Sequence, residues 1–302
     1  MKPHRRLKRV LAVAIVFAIA LALTGAGCAD RLILPPVPHA VRHDGSPRIA
    51  IPYRDGVAEA FTARSPGCAA AGAAGAAGAP GAPGAPGAKE VAKEIDPRAF
   101  VLRFSGDAAG AARFIAGRWE HRPVEAWAVN YPGYGGSTGP RTLSALAAAA
   151  LAAFDTLRAT AGTRPIFIEG FSLGTVPALH VAAHRAVAGL ILQNPPPLRP
   201  LIIERNSWWN LGLLSFPLAW QVPHEFDSIA NARAAKAPAV FLMAERDGTV
   251  PLSFQKRIAG AYAGLTRVIV QANADHADPL SDADVARLHD AMDWLWQNAQ
   301  PH

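Results

Sequence analysis

A serine in a tight glycine-flanked pentapeptide is the first residue of the chain whose setting suggests chemistry. Ser172 is the centre of Gly-Phe-Ser-Leu-Gly at residues 170–174, directly after the apolar run Ile166–Ile168 and before a helix-forming stretch. Where a strand turns sharply into a helix around Gly-x-Ser-x-Gly, the serine hydroxyl is exposed, and the tightness of the turn requires small flanking residues. The N-terminus of the helix also favours negative charge that develops nearby. We therefore predict Ser172 to be a nucleophile.

A serine hydroxyl is a poor nucleophile at neutral pH, so it needs a base, and the base needs a group that orients it. After a strand-to-helix turn of this kind, the acidic partner comes first along the chain and the histidine comes second. Asp247 follows the apolar run Phe241–Met243 and precedes Gly-Thr-Val-Pro, which predicts a loop at the carboxyl end of a strand, with Glu245 as the alternative acid. His276 follows the last predicted strand. We predict Asp247 as the acid and His276 as the base.

Stabilising an oxyanion requires two backbone N–H donors. The N–H of Leu173, directly after the nucleophile, is the first predicted donor. The second should come from the loop at residues 105–110, which follows another predicted strand. In this loop Gly106 allows a close approach of the backbone, and the amide of Asp107 is the predicted donor.

Two other motifs suggest different chemistry, but neither is complete. The loop at residues 130–139 should border the site and nearly matches a dinucleotide-binding fingerprint, yet Thr138 occupies the place of the third glycine. His180 and His184 have the i, i+4 spacing of a zinc-binding helix, but Val181 stands where that motif needs glutamate. We predict a helix face for the two histidines, and neither a cofactor nor a metal.

The elements that must position these residues alternate between strands and helices from residue 96 onward. This alternation predicts an α/β fold with a mostly parallel central sheet and helices on both faces. The predicted strands are Arg48–Tyr53, Val57–Ala63, Phe100–Phe104, Val124–Val129, Pro165–Glu169, Val187–Gln193, Ala239–Met243 and Arg267–Gln271, and the predicted helices are Ala108–Trp119, Thr142–Arg158, Leu173–Arg185 and Ser281–Gln297.

The N-terminus has the pattern of an export signal. A basic run, Lys2–Arg9, precedes an uninterrupted apolar run, Val10–Leu23, which is followed by small residues and Cys28. The end of this segment resembles the lipobox of bacterial lipoproteins, although Gly25 stands where leucine is usual. We expect a signal peptide at residues 1–27, lipidation at Cys28 and a location in the cell envelope on the periplasmic side. Plain secretion and an uncleaved anchor are the alternatives.

Composition shifts divide the rest of the chain. A Pro-rich tether is predicted at residues 28–47 and one domain at 48–302, which contains a Gly/Ala/Pro low-complexity insertion at 67–88 and a small lid at 195–236. Only two cysteines occur, so Cys68 forms a disulfide with Cys28 only if Cys28 carries no lipid.

Five basic residues within the first nine contribute most of the net charge of +7. Without a basic stripe, no nucleic-acid partner is predicted.

Taken together, these segments resemble the α/β-hydrolase superfamily from about residue 48 to the end. Within it, the likeness is to short-lid serine hydrolases that include acyl-protein thioesterases and many bacterial esterases. The resemblance implies hydrolysis of an ester or thioester through an acyl-enzyme, with a small-molecule or acyl-chain substrate. The matching segments are Tyr131–Ser137, Gly170–Thr175, Asp247–Pro251 and His276.

The chain departs from the pattern of that superfamily at two places. Ser105 and Asp107 flank Gly106 where histidine and asparagine are usual, and Asp275 precedes His276 where glycine is usual. The predicted donor is a backbone amide, so it survives the replacement, although the Asp107 carboxylate would oppose an oxyanion. A peptidase-type hydrolase with the same residues and a non-catalytic envelope scaffold therefore stay open as alternatives.

The predicted lid is rich in apolar side chains, which would either contact an acyl group or pack the lid onto the core. They are Trp208, Trp209, Leu211, Leu213, Leu214 and Phe216.

Overall fold

A computed structural model describes residues 12–13, 15–16, 27–36, 45–68, 95–106, 116–210 and 215–299, and at 206–210 it describes the backbone alone. The strands are β1 (Arg48–Tyr53), β2 (Gly56–Arg64), β3 (Ala99–Phe104), β4 (Val124–Val129), β5 (Ile166–Phe171), β6 (Gly189–Gln193), β7 (Ala239–Ala244) and β8 (Thr266–Gln271). The helices are α1 (Cys28–Ile33), α2 (Leu143–Ala161), α3 (Thr175–His184), α4 (Leu198–Asn210), α5 (Ser215–Trp220), α6 (Ser228–Ala234), α7 (Leu252–Ala261) and α8 (Asp282–Gln297).

The eight strands form one sheet in the order β1-β2-β4-β3-β5-β6-β7-β8. β2 pairs antiparallel with β1 and with β4, and every pair from β4 to β8 is parallel. The predicted fold class, a mostly parallel sheet in an α/β domain, is confirmed. Because parallel strands end at the same edge, the loops after β3, β5, β7 and β8 meet there.

Helices cover both faces of the sheet. On one face, α2, α3 and α7 contribute to one buried apolar cluster, for example through Leu146, Val176 and Ile258. On the other face, α8 contributes Leu288 and Leu295 to a second cluster. α2 is long and apolar enough to cross a bilayer, but half of its apolar window is buried inside the domain. Its composition is therefore explained by its place in the core.

The predicted strands agree with the observed ones to within one or two residues at most ends. The predicted helix Leu173–Arg185 begins instead at Thr175, because Ser172–Gly174 form a 3-10 turn. The predicted lid at 195–236 consists of α4, α5, α6 and a further 3-10 turn. Most of the predicted signal peptide, most of the insertion at 67–88 and residues 108–115 of the predicted helix Ala108–Trp119 lie outside the described residues. The end of that helix, Gly117–Trp119, is a 3-10 turn.

The first part of the predicted tether is a helix in contact with the domain. The carboxylate of Asp30 in α1 accepts the N–H of Leu143 at 2.7 Å, which caps the first turn of α2. Leu34 is buried, and the Tyr134 hydroxyl donates to the carbonyl of Pro35 at 2.7 Å. α1 is therefore part of the folded domain, which the sequence did not predict.

Both cysteines are free, so the alternative of a disulfide between them is wrong. Cys68 is buried, and its Sγ lies 3.5 Å from the carbonyl of Val124.

Candidate active site

The turn after β5 places Ser172 at the carboxyl edge of the sheet. Ser172 has a φ of +49°, a left-handed conformation that costs a residue other than glycine free energy. A Cβ on Gly174 would lie 2.1 Å from the carbonyl oxygen of Phe104, and one on Gly170 would lie 2.7 Å from the Gly174 carbonyl oxygen. The two glycines are thus required sterically, as the sequence predicts for a tight elbow.

Ser172, His276 and Asp247 form a continuous chain of hydrogen bonds. Nε2 of His276 lies 2.8 Å from Oγ of Ser172, and Nδ1 of His276 lies 2.7 Å from Oδ2 of Asp247. The Asp247 side chain is fully buried, and that of His276 is 16% exposed. A proton on Nδ1 that is donated to the carboxylate leaves Nε2 free to accept the serine proton. The structure therefore brings together the three residues predicted to act as nucleophile, base and acid.

The carboxylate of Asp247 is held by three donors besides the imidazole. The backbone N–H groups of Thr249 and Val250 donate to its Oδ1 at 2.8 and 2.6 Å. Nε2 of Gln255, on α7, donates to Oδ2 at 3.0 Å. These bonds fix the plane of the carboxylate, so that one oxygen faces His276. The sequence did not predict the role of Gln255, because no local motif marks it.

Two further side chains hold the loop that carries His276. Asn194 is fully buried with a φ of +51°; its Nδ2 donates to the His276 carbonyl at 2.8 Å and its Oδ1 accepts the Ala244 N–H at 2.9 Å. Oδ1 of Asp275 accepts the N–H of Gly248 at 2.9 Å and that of His276 at 2.7 Å. The Gly248 bond, followed by the His276 bond, lowers the pKa of Asp275 below its ordinary value. Asp275 thus links the loop that carries Asp247 to the loop that carries His276.

The remaining candidates lie elsewhere or have other partners. Glu245, the alternative acid, is exposed, and its carboxylate accepts the N–H of Asn273 at 2.7 Å. His180 is buried against Phe226, and burial, with a further contribution from the charge of His184, lowers its pKa to about 4. It is therefore a neutral residue of the α3 core face at physiological pH. The described residues contain no cluster of three metal-ligating side chains.

The predicted oxyanion donors are described only in part. Leu173 and Gly106 both line the cavity in front of Ser172. A Cβ on Gly106 would lie 2.5 Å from the ring of Phe171, so the backbone comes close to the elbow here. Asp107 lies outside the described residues, and its amide stays a predicted donor. The Tyr131 hydroxyl donates to the carbonyl of Ser105 and connects the loop at 130–139 to this region.

A cavity of about 420 Å³ opens in front of Ser172. Arg205 is the charged residue in its described lining, and its Nη1 donates to the carbonyls of Gly248 and Thr249 at 3.2 and 2.6 Å. The guanidinium is thus already hydrogen-bonded to the main chain in the wall of the cavity. Apolar side chains form most of the lining, and they are Leu32, Ile33, Leu173, Pro196, Leu198, Leu201, Ile202 and Val250.

Of the six apolar residues that the sequence placed in the lid, Phe216 has a side chain that the structure describes, and it is not part of the described cavity lining. Phe216 is exposed on α5. The side chains of Trp208 and Trp209, and the whole of Leu211, Leu213 and Leu214, lie outside the described part of the chain.

Comparisons with known proteins agree with this fold. Residues 83–228 match the family described as the alpha/beta hydrolase family. An uncharacterized protein of Mycobacterium tuberculosis is 29% identical over 155 residues, which cover 50% of this chain and 52% of that protein, so the chain spans about half the length of the curated relative.

Solved structures show the same fold at low sequence identity. An esterase from Pyrococcus furiosus is 13% identical with a TM-score of 0.59, and the match covers 88% of this chain and 97% of the esterase. An alpha-beta serine hydrolase homologue from Coxiella burnetii is 15% identical with a TM-score of 0.53, and the match covers 86% of this chain and 99% of the homologue. At these identities the likeness is one of fold.

Proposed function

Because the chain is a member of the α/β-hydrolase superfamily, we propose that it is a serine hydrolase that cleaves carboxylic ester or thioester bonds. The observation that carries the proposal is the hydrogen-bonded chain from Ser172 through His276 to Asp247, with links of 2.8 and 2.7 Å. Its serine end lies in the lining of the apolar cavity, where the acyl group of a substrate would bind.

The reaction proceeds in two acyl transfers. Nε2 of His276 takes the proton of Ser172 as Oγ attacks the carbonyl carbon, and the resulting oxyanion accepts the N–H groups of Leu173 and Asp107. The protonated imidazole then gives its proton to the departing alkoxide or thiolate, which leaves an acyl ester on Ser172. Water attacks this ester with His276 again as the base, and the carboxylic acid and the free serine are released.

The N-terminal region attaches this domain to the cell envelope, through a lipid on Cys28 or through an uncleaved apolar run, Val10–Leu23. This part of the proposal is supported by the sequence pattern alone. A cleaved and secreted form is the alternative, and the apolar cavity is compatible with both.

Labelling of the full-length protein with a fluorophosphonate probe tests the proposal, because the probe reacts with a serine that a base has activated. The wild type should be labelled, and Ser172→Ala should not. Ser253→Ala, which removes an exposed serine on α7, is the matched control and should be labelled like the wild type. A folded wild type without labelling would favour the non-catalytic scaffold instead. Labelling followed by cleavage of amides faster than esters would favour the peptidase alternative.

A further inference from the structure

Two large aromatic side chains project into solvent from α5. Phe216 is 59% exposed and Trp220 is 86% exposed. They are four residues apart in one helix, so they lie on the same face. α1 packs against α5, and on α1 the apolar residue Leu32 is 57% exposed. Exposed apolar side chains of this size on two helices that pack together mark a surface that another phase or molecule covers.

These three residues, here called the apolar rim, are connected to the cavity through their helices. Leu32 itself lines the cavity together with Ser172. α5 packs against α4, which contributes Leu198 and Ile202 to the lining, and against α1. The residue after α5, Gln221, accepts the N–H of Ala29 through Oε1 at 3.2 Å, which ties α5 to α1.

The course of the chain indicates what covers the apolar rim. α1 begins at Cys28, and only four residues separate it from the uninterrupted apolar run Val10–Leu23. Asp30 and Leu34 fix α1 on the domain, so the chain that enters from that run must do so beside the rim. Cys28 and Leu32 are about 6 Å apart along the helix axis, at a rise of about 1.5 Å per residue. A lipid on Cys28 and an uncleaved apolar run would both hold the rim at the bilayer.

The chemistry of the rim fits a lipid surface. Tryptophan and phenylalanine partition favourably into the interface between headgroups and acyl chains. Arg31 is exposed beside Leu32 and would attract anionic headgroups. We propose that the apolar rim docks on a lipid bilayer, and that the substrate is an acyl ester or thioester that enters the cavity from this bilayer. This inference rests on the proposed serine hydrolase function.

The test compares two substrates with the full-length protein reconstituted in vesicles of phosphatidylcholine and phosphatidylglycerol. One substrate is a long-chain ester embedded in the vesicles, and the other is a water-soluble short-chain ester. The double variant Phe216→Ser/Trp220→Ser should hydrolyse the embedded ester at least about tenfold more slowly, because two buried aromatic contacts with lipid are lost. Its rate on the soluble ester should stay within about twofold of the wild type, since neither residue lines the cavity.

The matched control is Leu265→Ser/Val268→Ser, which removes two apolar side chains that are 65% and 51% exposed. Leu265 precedes β8 at the amino edge of the sheet, opposite Ser172, so this variant should match the wild type on both substrates. Brominated lipids provide a readout that does not depend on activity. They should quench the tryptophan fluorescence of the wild type more than that of Trp220→Ser.

Each other outcome has a distinct meaning. Equal rates of the rim variant and the wild type on the embedded ester would overturn the lipid docking, and so would an equal loss on both esters. A dimer in solution that the rim variant dissociates, with the vesicle rate unchanged, would overturn it in favour of a protein interface. Absence of fluorophosphonate labelling at Ser172 would instead defeat the proposed function.

Discussion

The side-chain amide of Asn194 donates a hydrogen bond of 2.8 Å to the main-chain carbonyl of His276. The same side chain accepts the N–H of Ala244, the last residue of β7, at 2.9 Å. Asn194 itself follows β6 and has a φ of +51°, which asparagine tolerates better than most residues. One buried side chain therefore joins the ends of two strands to the loop of the proposed base.

Replacing Asn194 should lower activity through the position of His276, since Asn194 bonds to the main chain of that residue. Asn194→Gly keeps the left-handed conformation accessible but loses both hydrogen bonds, leaving a buried N–H without its partner at a cost of about 1–3 kcal/mol in unfolding free energy. We expect kcat on a soluble ester to fall about tenfold while KM changes little, since the base moves and the cavity does not. Asn194→Ala should be less stable still because of its φ. An unchanged kcat in Asn194→Gly would contradict the positioning role.

Asp247→Asn should nearly abolish turnover while the fold survives. In the wild type, the N–H groups of Thr249 and Val250 donate to Oδ1 of Asp247 at 2.8 and 2.6 Å. The side-chain oxygen of an asparagine can accept the same two bonds. Its NH₂ group would face His276 and select the wrong imidazole tautomer, a change that costs about 10⁴-fold in kcat in serine proteases. The measurement is kcat together with thermal unfolding. A loss of less than about tenfold in a folded variant would argue against Asp247 as the orienting acid.

The wall formed by α1 should set the preferred length of the acyl group. Ile33 lines the cavity and is partly buried against the core, so Ile33→Phe adds volume beside the bound chain. We expect kcat/KM for long acyl chains to fall by about 10-fold or more relative to short ones, because steric mismatch in an apolar pocket is worth about 1–3 kcal/mol. Leu265→Phe, far from the cavity, is the control. An unaltered chain-length profile in Ile33→Phe would place the acyl group elsewhere.

Local patterns were sufficient to predict the sheet and to single out the three residues that the structure brings together in one hydrogen-bonded chain. β5 begins with the apolar run Ile166–Ile168 and leads into Gly-x-Ser-x-Gly, and the steric requirement that selects glycine at 170 and 174 is confined to this turn and the residues packed against it. Asp247 follows β7 and His276 follows β8, and both strands run parallel to β5, so parallel topology alone brings the two residues to the edge at which Ser172 lies.

The residues that the sequence did not reveal act through distant partners. Asn194 and the His276 carbonyl are 82 positions apart, and no short pattern around either residue encodes the contact. α1 has six residues beside prolines, a length at which an isolated helix is not stable. It forms because Asp30 caps α2 and Leu34 is buried, and both interactions depend on the tertiary fold. For the same reason, the contribution of Leu32 to the cavity was not predicted.

A buried ion cluster surrounds Glu169 on β5, the strand that precedes Ser172. The Glu169 carboxylate lies 3.4 Å from Arg118 and 3.7 Å from Arg103, and it accepts the indole N–H of Trp119 at 3.2 Å. Burial by itself would raise the pKa of Glu169, but the positive charges of Arg118 and Arg103 outweigh burial and lower it. A glutamate whose pKa is lower in the folded than in the unfolded state stabilises the fold above its unfolded pKa, and this stabilisation is lost as the pH falls through the folded pKa.

Glu169→Gln should therefore destabilise the protein in a pH-dependent way. The amide keeps an acceptor for Trp119, but it leaves two largely buried guanidinium groups without their counter-charge, at a cost of about 3 kcal/mol in unfolding free energy. Denaturant unfolding should show this full difference from the wild type between about pH 8 and pH 5. The difference should shrink below the ordinary pKa of 4.5, where the carboxylate of the unfolded wild-type chain begins to take up its proton, and should be lost as the pH falls through the lower pKa of the folded state. Glu120→Gln, which alters a carboxylate that is 52% exposed, should change stability by less than about 0.5 kcal/mol at any pH. A difference between Glu169→Gln and the wild type that stayed constant down to about pH 3 would show that the two side chains differ in packing and not in charge.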